Sequence, residues 1–108
     1  MQRLEIFVPD YNDSFSKLVL DGTEYQIRFT WNDTTQRWAF GLFTVLKEPI
    51  IQGVKIVPGF PLNLQYVDNR LPGGIIGVYT KLAAVGHEDF KNGKAILAYV
   101  PADGGANL

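Results

Sequence analysis

The only histidine of the chain, His87, is followed directly by Glu88 and Asp89, and these three residue types can bind metals or transfer protons. Three consecutive side chains cannot easily converge on one metal ion, and the sequence has no second histidine and no cysteine to complete a coordination shell. We therefore interpret this segment as a solvated polar loop and predict no metal site in it.

A second polar group, formed by Asp10, Asn12 and Asp13, has the spaced oxygen ligands with which a calcium-binding loop begins. Such a loop also needs a glycine at its sharp bend and a glutamate at its far end. Both are missing from the required positions, so we predict that these residues form a turn.

Covalent catalysis has little support in this sequence. Ser14 and Ser16 are the only serines, and neither lies in the sequence of a nucleophile elbow. The eleven acidic residues show no spacing that favours a pair of catalytic carboxylates. The segment Pro72-Gly73-Gly74 is typical of a turn and does not precede a helix that could hold a phosphate. We predict no catalytic residue and no cofactor, and a small hydrolase is the least favoured function.

Aromatic residues offer one further possible site. Five of them are close enough in sequence to form a surface on which sugars or unpaired bases could stack: Tyr25, Phe29, Trp31, Trp38 and Phe40. Aromatic side chains at the spacing of a strand are more often part of a core. We therefore favour the core interpretation and keep, as the alternative function, a small β binding module for carbohydrate or single-stranded nucleic acid.

The elements that position these residues are predicted to be strands. Residues 24–31 alternate strictly between apolar and polar types, which is typical of a half-buried strand, and residues 15–20 resemble a strand as well. Asp21-Gly22 between them predicts a two-residue hairpin. The polar residues 32–36 predict a second turn, across which Trp31 and Trp38 should pair.

The rest of the chain continues this pattern, with a bulge or a close backbone approach expected at Gly53. Residues 82–92 are expected to form a loop, with room for one helical turn. The further predicted strands are residues 38–43, 50–57, 62–66, 75–80 and 95–100.

About seven to eight short strands predict an all-β fold, either a small antiparallel β-sandwich or a partly closed β-barrel. We expect one domain over residues 1–108, with an N-terminal arm or edge strand at 1–13, a core at 14–100 and a flexible tail at 101–108.

The net charge of −1 gives no electrostatic footprint for nucleic acid. No apolar stretch has the length of a membrane span, so no membrane partner is expected either.

The order of several motifs, rather than any single one, resembles a known family. In sequence order these motifs are an Asp-Gly hairpin and residues 25–32, 49–56, 59–62, 71–74 and 95–100. From about Phe15 to Val100 this order resembles the small baseplate plug proteins of contractile-tailed bacteriophages, as in cyanophage-type baseplates. Residues 1–13 fall outside the shared pattern.

This resemblance implies a virion structural protein at the central hub of the baseplate, where the tail tube meets the spike. The implied partners are tail tube, baseplate hub and spike proteins, together with copies of the chain itself around the tail axis. The implied location is the virion tail baseplate, and the host cytoplasm during assembly. The resemblance implies no catalysis and no cofactor.

Intersubunit contacts are expected from the N-terminal segment and from two loops, because their apolar residues lie outside regular alternation. The predicted interface residues are Leu4, Ile6, Phe7, Val8, Pro58, Phe60, Pro61, Leu71 and Pro72. The N-terminal segment could pair with the sheet of its own chain or with a neighbouring subunit. Deleting residues 1–8 is expected to weaken incorporation into baseplates more than folding.

Overall fold

The computed structural model describes residues 3–63 and 66–101. Within these residues the chain forms seven strands, and every strand pair is antiparallel. The strands are β1 (Leu4–Ile6), β2 (Asp13–Leu20), β3 (Thr23–Asn32), β4 (Arg37–Phe43), β5 (Pro49–Lys55), β6 (Ile75–Thr80) and β7 (Ala95–Val100). No helix long and apolar enough to cross a membrane occurs in this part of the chain.

Two separate sheets form, one of three strands in the order β1-β7-β6 and one of four strands in the order β2-β3-β4-β5. We call them the three-stranded and the four-stranded sheet. The predicted all-β antiparallel fold is confirmed as a small sandwich, and the sheets do not close into a barrel. Four strands therefore lie at sheet edges: β1, β6, β2 and β5.

The β2–β3 hairpin turns at Asp21 and Gly22, as predicted. Both residues have positive φ, at 53° and 77°, which is the backbone of the tight turns that match the twist of paired strands. Leu20 and Thr23 close the hairpin as the first facing pair. The second turn is also confirmed, because Trp31 faces Trp38 across β3 and β4 with ring centroids 5.4 Å apart.

β4 runs through the middle of the four-stranded sheet and is buried along most of its length. Its register with β5 shifts twice. Between Phe40 and Leu42 the two residues Gln52 and Gly53 stand opposite Gly41, and between Leu42 and Phe43 the extra residue on β5 is Ile50. Gly53 has φ of 64°, which a glycine adopts without steric cost. The bulge expected at this glycine is confirmed.

The core lies between the two sheets. Alternate residues of β3 and β4 point inward and meet the inward residues of β6 and β7. The largest side chains with almost no exposure are Tyr99, Phe29, Phe40, Leu20, Ile27 and Leu42. Replacing one of these aromatic rings with alanine would cost about 3–5 kcal/mol, a large part of the stability of a small domain.

The predicted strand 62–66 is not formed by its described residues, 62, 63 and 66. Residues 62–63 are irregular, and Leu64 and Gln65 lie outside the described residues. One backbone bond joins this segment to β6, from the Leu62 N–H to the Ile76 carbonyl at 2.8 Å. The Asn63 side chain supplies two more contacts, because its Oδ1 accepts from the Ile76 N–H at 2.9 Å and its Nδ2 donates to the Gly74 carbonyl at 2.9 Å. Residues 82–92 form turns, as expected. Of the predicted tail, residues 102–108 also lie outside the described residues.

The Tyr99 hydroxyl joins the two sheets. Tyr99 on β7 is buried, and its hydroxyl donates to the carboxylate of Asp21 in the β2–β3 turn. The same oxygen accepts from the Gly74 N–H at 2.8 Å. Burial and the hydrogen bond to Asp21 raise the pKa of Tyr99 above its ordinary value, so the hydroxyl keeps its proton.

Replacing Tyr99 with phenylalanine should lower the free energy of unfolding by about 1–3 kcal/mol, because the Gly74 N–H loses its acceptor inside the protein. Urea unfolding followed by circular dichroism would measure this loss. The control is Tyr79→Phe, whose side chain is exposed and whose replacement should change stability by less than about 0.5 kcal/mol. Equal stability of the two variants would show that the buried hydroxyl contributes nothing.

Candidate functional site

His87 lies in a polar loop, as predicted, and its side chain is 39% exposed, but its ring also packs against the four-stranded sheet. Its ring stacks on Trp38 with centroids 5.7 Å apart and planes 8° apart, and it meets Trp31 edge-on at 4.9 Å. Nε2 lies 2.5 Å from Asn12 Oδ1, and Nδ1 lies 3.2 Å from a Glu88 carboxylate oxygen. His87 therefore attaches the 86–94 loop to the four-stranded sheet.

The residues that resembled a calcium loop point to three different partners. Asp13 forms two hydrogen bonds with the Arg28 guanidinium, at 2.9 and 2.6 Å, which lower the pKa of Asp13. Asp10 lies 3.1 Å from the Lys91 ammonium, and Asn12 contacts the histidine. In the described part of the chain, no three histidine, cysteine or acidic residues are grouped so that they could hold a metal ion.

The aromatic row belongs to the core. Tyr25, Phe29, Trp38 and Phe40 are buried, and Trp31 is partly buried against them. These rings therefore offer no open face on which a sugar or a base could stack. The alternative of a carbohydrate or nucleic-acid binding module receives no support from the positions of these side chains.

Two single-tryptophan variants would test this burial. Trp31→Phe leaves Trp38, which is only 2% exposed, whereas Trp38→Phe leaves the more accessible Trp31. We expect acrylamide to quench the first variant several-fold less strongly than the second, provided that circular dichroism shows both to be folded. Equally strong quenching would mean that the aromatic row is open to solvent.

The predicted N-terminal interface residues separate into two sets. Leu4 and Phe7 are exposed, and Phe7 is 77% exposed. Ile6 and Val8 are buried in the core of their own chain. The reason is that β1 pairs with β7, which turns Ile6 toward the same side as Leu97. Of the two pairings expected for this segment, the structure has the one with its own sheet.

The predicted loop at 58–61 lies beside the outer face of the three-stranded sheet. Phe60 is 66% exposed, and with Pro61 it forms one wall of a groove. The other wall and the floor come from Ile75, Tyr79 and Gly77, where an added Cβ would meet no atom within 4 Å. Pro58 is partly buried. This groove is apolar and open.

The third segment predicted to make intersubunit contacts, residues 71–74, does not line this groove. Leu71 is partly buried against the core, and Pro72 is buried. Arg70, next to them, forms two hydrogen bonds with the Asp68 carboxylate at 3.0 and 2.7 Å, and its carbonyl accepts from the Tyr25 hydroxyl at 2.7 Å. The structure thus does not bring the three predicted segments together; they line separate grooves.

Hydrogen bonds from the Arg70 side chain and backbone lower the pKa of Asp68 to about 2. Because this folded value lies below that of the unfolded chain, the stabilising effect is complete above about pH 4 and is lost as the pH falls through about 2. NMR titration of the carboxyl group would show this midpoint. Arg70→Ala should move it toward 3.8, and the distant control Lys55→Ala should not. A native midpoint near 4 would contradict the pairing.

Sequence reasoning missed several exposed apolar residues. Ile75 and Tyr79 line the groove beside Phe60, and Phe15 and Val19 stand on the outer face of β2. The sequence did contain one indication of Ile75 and Tyr79, because apolar residues occupy both faces of the predicted strand 75–80. That pattern does not say which face meets solvent.

These observations describe a small antiparallel sandwich whose candidate functional surfaces are apolar grooves and open strand edges. Such surfaces are typical of a domain that packs against other proteins.

Residues 1–102 match the family model described as "Cyanophage baseplate Pam3 plug gp18", and the chain belongs to this family. The resemblance inferred from the order of motifs is thereby confirmed. The match begins at residue 1, so residues 1–13, which were placed outside the shared pattern, are part of it. The comparison with curated proteins gives no match. The family is a structural one, and the chain is a baseplate component of the phage virion tail.

Proposed function

We propose that this chain seals or joins the junction between the tail tube and the spike at the centre of the baseplate hub. It acts by protein–protein contacts with tail tube, hub and spike proteins and with copies of itself around the tail axis. It assembles in the host cytoplasm and has no catalytic role. The observation that carries the proposal is the match to the baseplate plug family over residues 1–102.

The surface of the sandwich supports this role. Large apolar side chains such as Phe7, Phe60 and Tyr79 are exposed at grooves, where they can be buried by a neighbouring protein. Burying such a side chain contributes about 1.5–3 kcal/mol to an interface. The near-neutral net charge of −1 suits permanent packing more than long-range attraction of a charged partner.

We restrict the proposed interface to those predicted residues whose side chains are accessible. Leu4, Phe7, Phe60 and Pro61 are exposed and are the contacts we propose, with Pro58 and Leu71 contributing their accessible parts. Ile6, Val8 and Pro72 are buried within the chain and serve its own fold. Deleting residues 1–8 would remove core side chains, so point substitutions are the better test of the interface.

Replacing Phe7 and Phe60 together with serine should change stability little, because both side chains are exposed, but should lower incorporation into tails about ten-fold or more. The measurement is quantitative mass spectrometry of purified particles, with the chain normalised to the tail tube protein. The control is Leu46→Ser, 80% exposed in the turn between β4 and β5, which should be incorporated normally. If the wild-type chain is absent from intact particles, the proposed function is wrong.

A further inference from the structure

We propose that the free edge of β2 binds an extended segment of another baseplate protein, which adds a fifth strand to the four-stranded sheet. The proposal rests on the baseplate role given above and names the surface and the kind of partner that it involves. It requires a free row of backbone groups, space beside that row and side chains that select the incoming strand.

The free row is set by the register of the hairpin. Leu20 faces Thr23 as the closing pair, so the backbone groups of Leu20, Leu18 and Ser16 point toward β3. Those of Phe15, Lys17 and Val19 then point away from the sheet. In the described residues, no other segment forms a backbone hydrogen bond with these three residues. Six hydrogen-bonding groups are thus available along one edge.

β2 has only one of the features that usually protect an edge strand, the charge of Lys17 near its middle. It has eight residues in continuous register with β3, and it contains no proline and no bulge. The opposite edge, β5, begins at Pro49 and is bent by the bulge at Gly53. β1 has only three residues. The free side of β6 is partly used, because Leu62 and Asn63 form hydrogen bonds with the backbone of Ile76. β2 is therefore the edge best suited to pair with another strand.

Space for a strand lies beside this edge. A groove runs between residues 4–7 of the N-terminal segment and residues 16–19 of β2. Its walls include Leu4, Phe7 and Leu18, which are apolar. Because β1 and β2 belong to different sheets, no strand pairing closes this side of the sandwich.

The side chains of the free row select the chemistry of the partner. Phe15, Lys17 and Val19 all stand on the outer face of the sheet and are exposed. Lys17 has no carboxylate within 4.0 Å in the described part of the chain, whereas nearby Arg28 is already paired with Asp13. The Lys47 ammonium lies 5.1 Å from the Phe15 ring centre and adds positive charge. The incoming strand should place an acidic residue opposite Lys17 and apolar residues opposite Phe15 and Val19.

Charge also argues against a second copy of β2 as the partner. An antiparallel pair of β2 strands that uses all three free residues would place Phe15 opposite Val19 and Lys17 opposite Lys17. Like charges directly opposite each other destabilise a strand pair. The acidic–apolar segment therefore belongs to a different baseplate protein.

Two matched pairs of variants test the proposal in assembled tails. Lys17→Pro removes an outward N–H that β3 does not use, and Lys17→Ala removes the charge but keeps this N–H. We expect the proline variant to be incorporated at least ten-fold less than the alanine variant. Lys17→Glu should also reduce incorporation, whereas Lys55→Glu, exposed on the opposite edge strand, should not. Thermal unfolding of each purified variant checks its fold, and Lys17→Glu decides the matter if Lys17→Pro does not fold.

A photocrosslinking residue, p-benzoylphenylalanine, at position 19 identifies the occupant. Illumination of purified tails followed by mass spectrometry should give a crosslink to an acidic–apolar segment of another baseplate protein. A crosslink to a second copy of this chain, or none, would overturn the proposal, as would normal incorporation of Lys17→Pro or Lys17→Glu. Those results leave the proposed function intact if the wild-type chain is present in the tails. Its absence from them would overturn the function and this inference together.

Discussion

The hydroxyl of Tyr99 holds together parts of the molecule that the sheets alone would leave separate. It contacts the β2–β3 turn through Asp21 and the segment before β6 through Gly74. Asn63 holds the carbonyl of the same glycine, so Gly74 is fixed on both sides. No larger residue fits there, because an added Cβ would lie 2.1 Å from the Val100 carbonyl oxygen. The connection from β5 to β6, and the groove beside Phe60, depend on this arrangement.

Much of the fold follows from local patterns in the sequence. Alternation located the strands because each sheet buries one face, and Asp21-Gly22 located a hairpin because its turn needs two residues with positive φ. The same alternation over 62–66 was misleading. There the Asn63 side chain supplies two hydrogen bonds beside a single backbone bond from Leu62, and residue type alone does not distinguish this arrangement from a strand.

The candidate surfaces were predicted only in part, because exposure depends on which strands become neighbours. Apolar residues outside regular alternation correctly drew attention to exposed Phe7 and Phe60. The same rule also selected Ile6 and Val8, which the pairing of β1 with β7 buries. It passed over Ile75 in β6, whose apolar residues occupy both faces of the strand. β2 lies at an edge because of the order of the strands in its sheet. No short segment of sequence specifies that order.

The pairing of β1 with β7 has a consequence for the order in which the protein folds during synthesis. The four strands of the larger sheet are consecutive hairpins, so they can associate as they leave the ribosome. The smaller sheet must wait for β7, which follows the other described strands in the sequence and lies between β1 and β6. Until then the inner faces of Phe29 and Phe40 have no covering layer. The inner face of the larger sheet is thus covered only after β7 has been made.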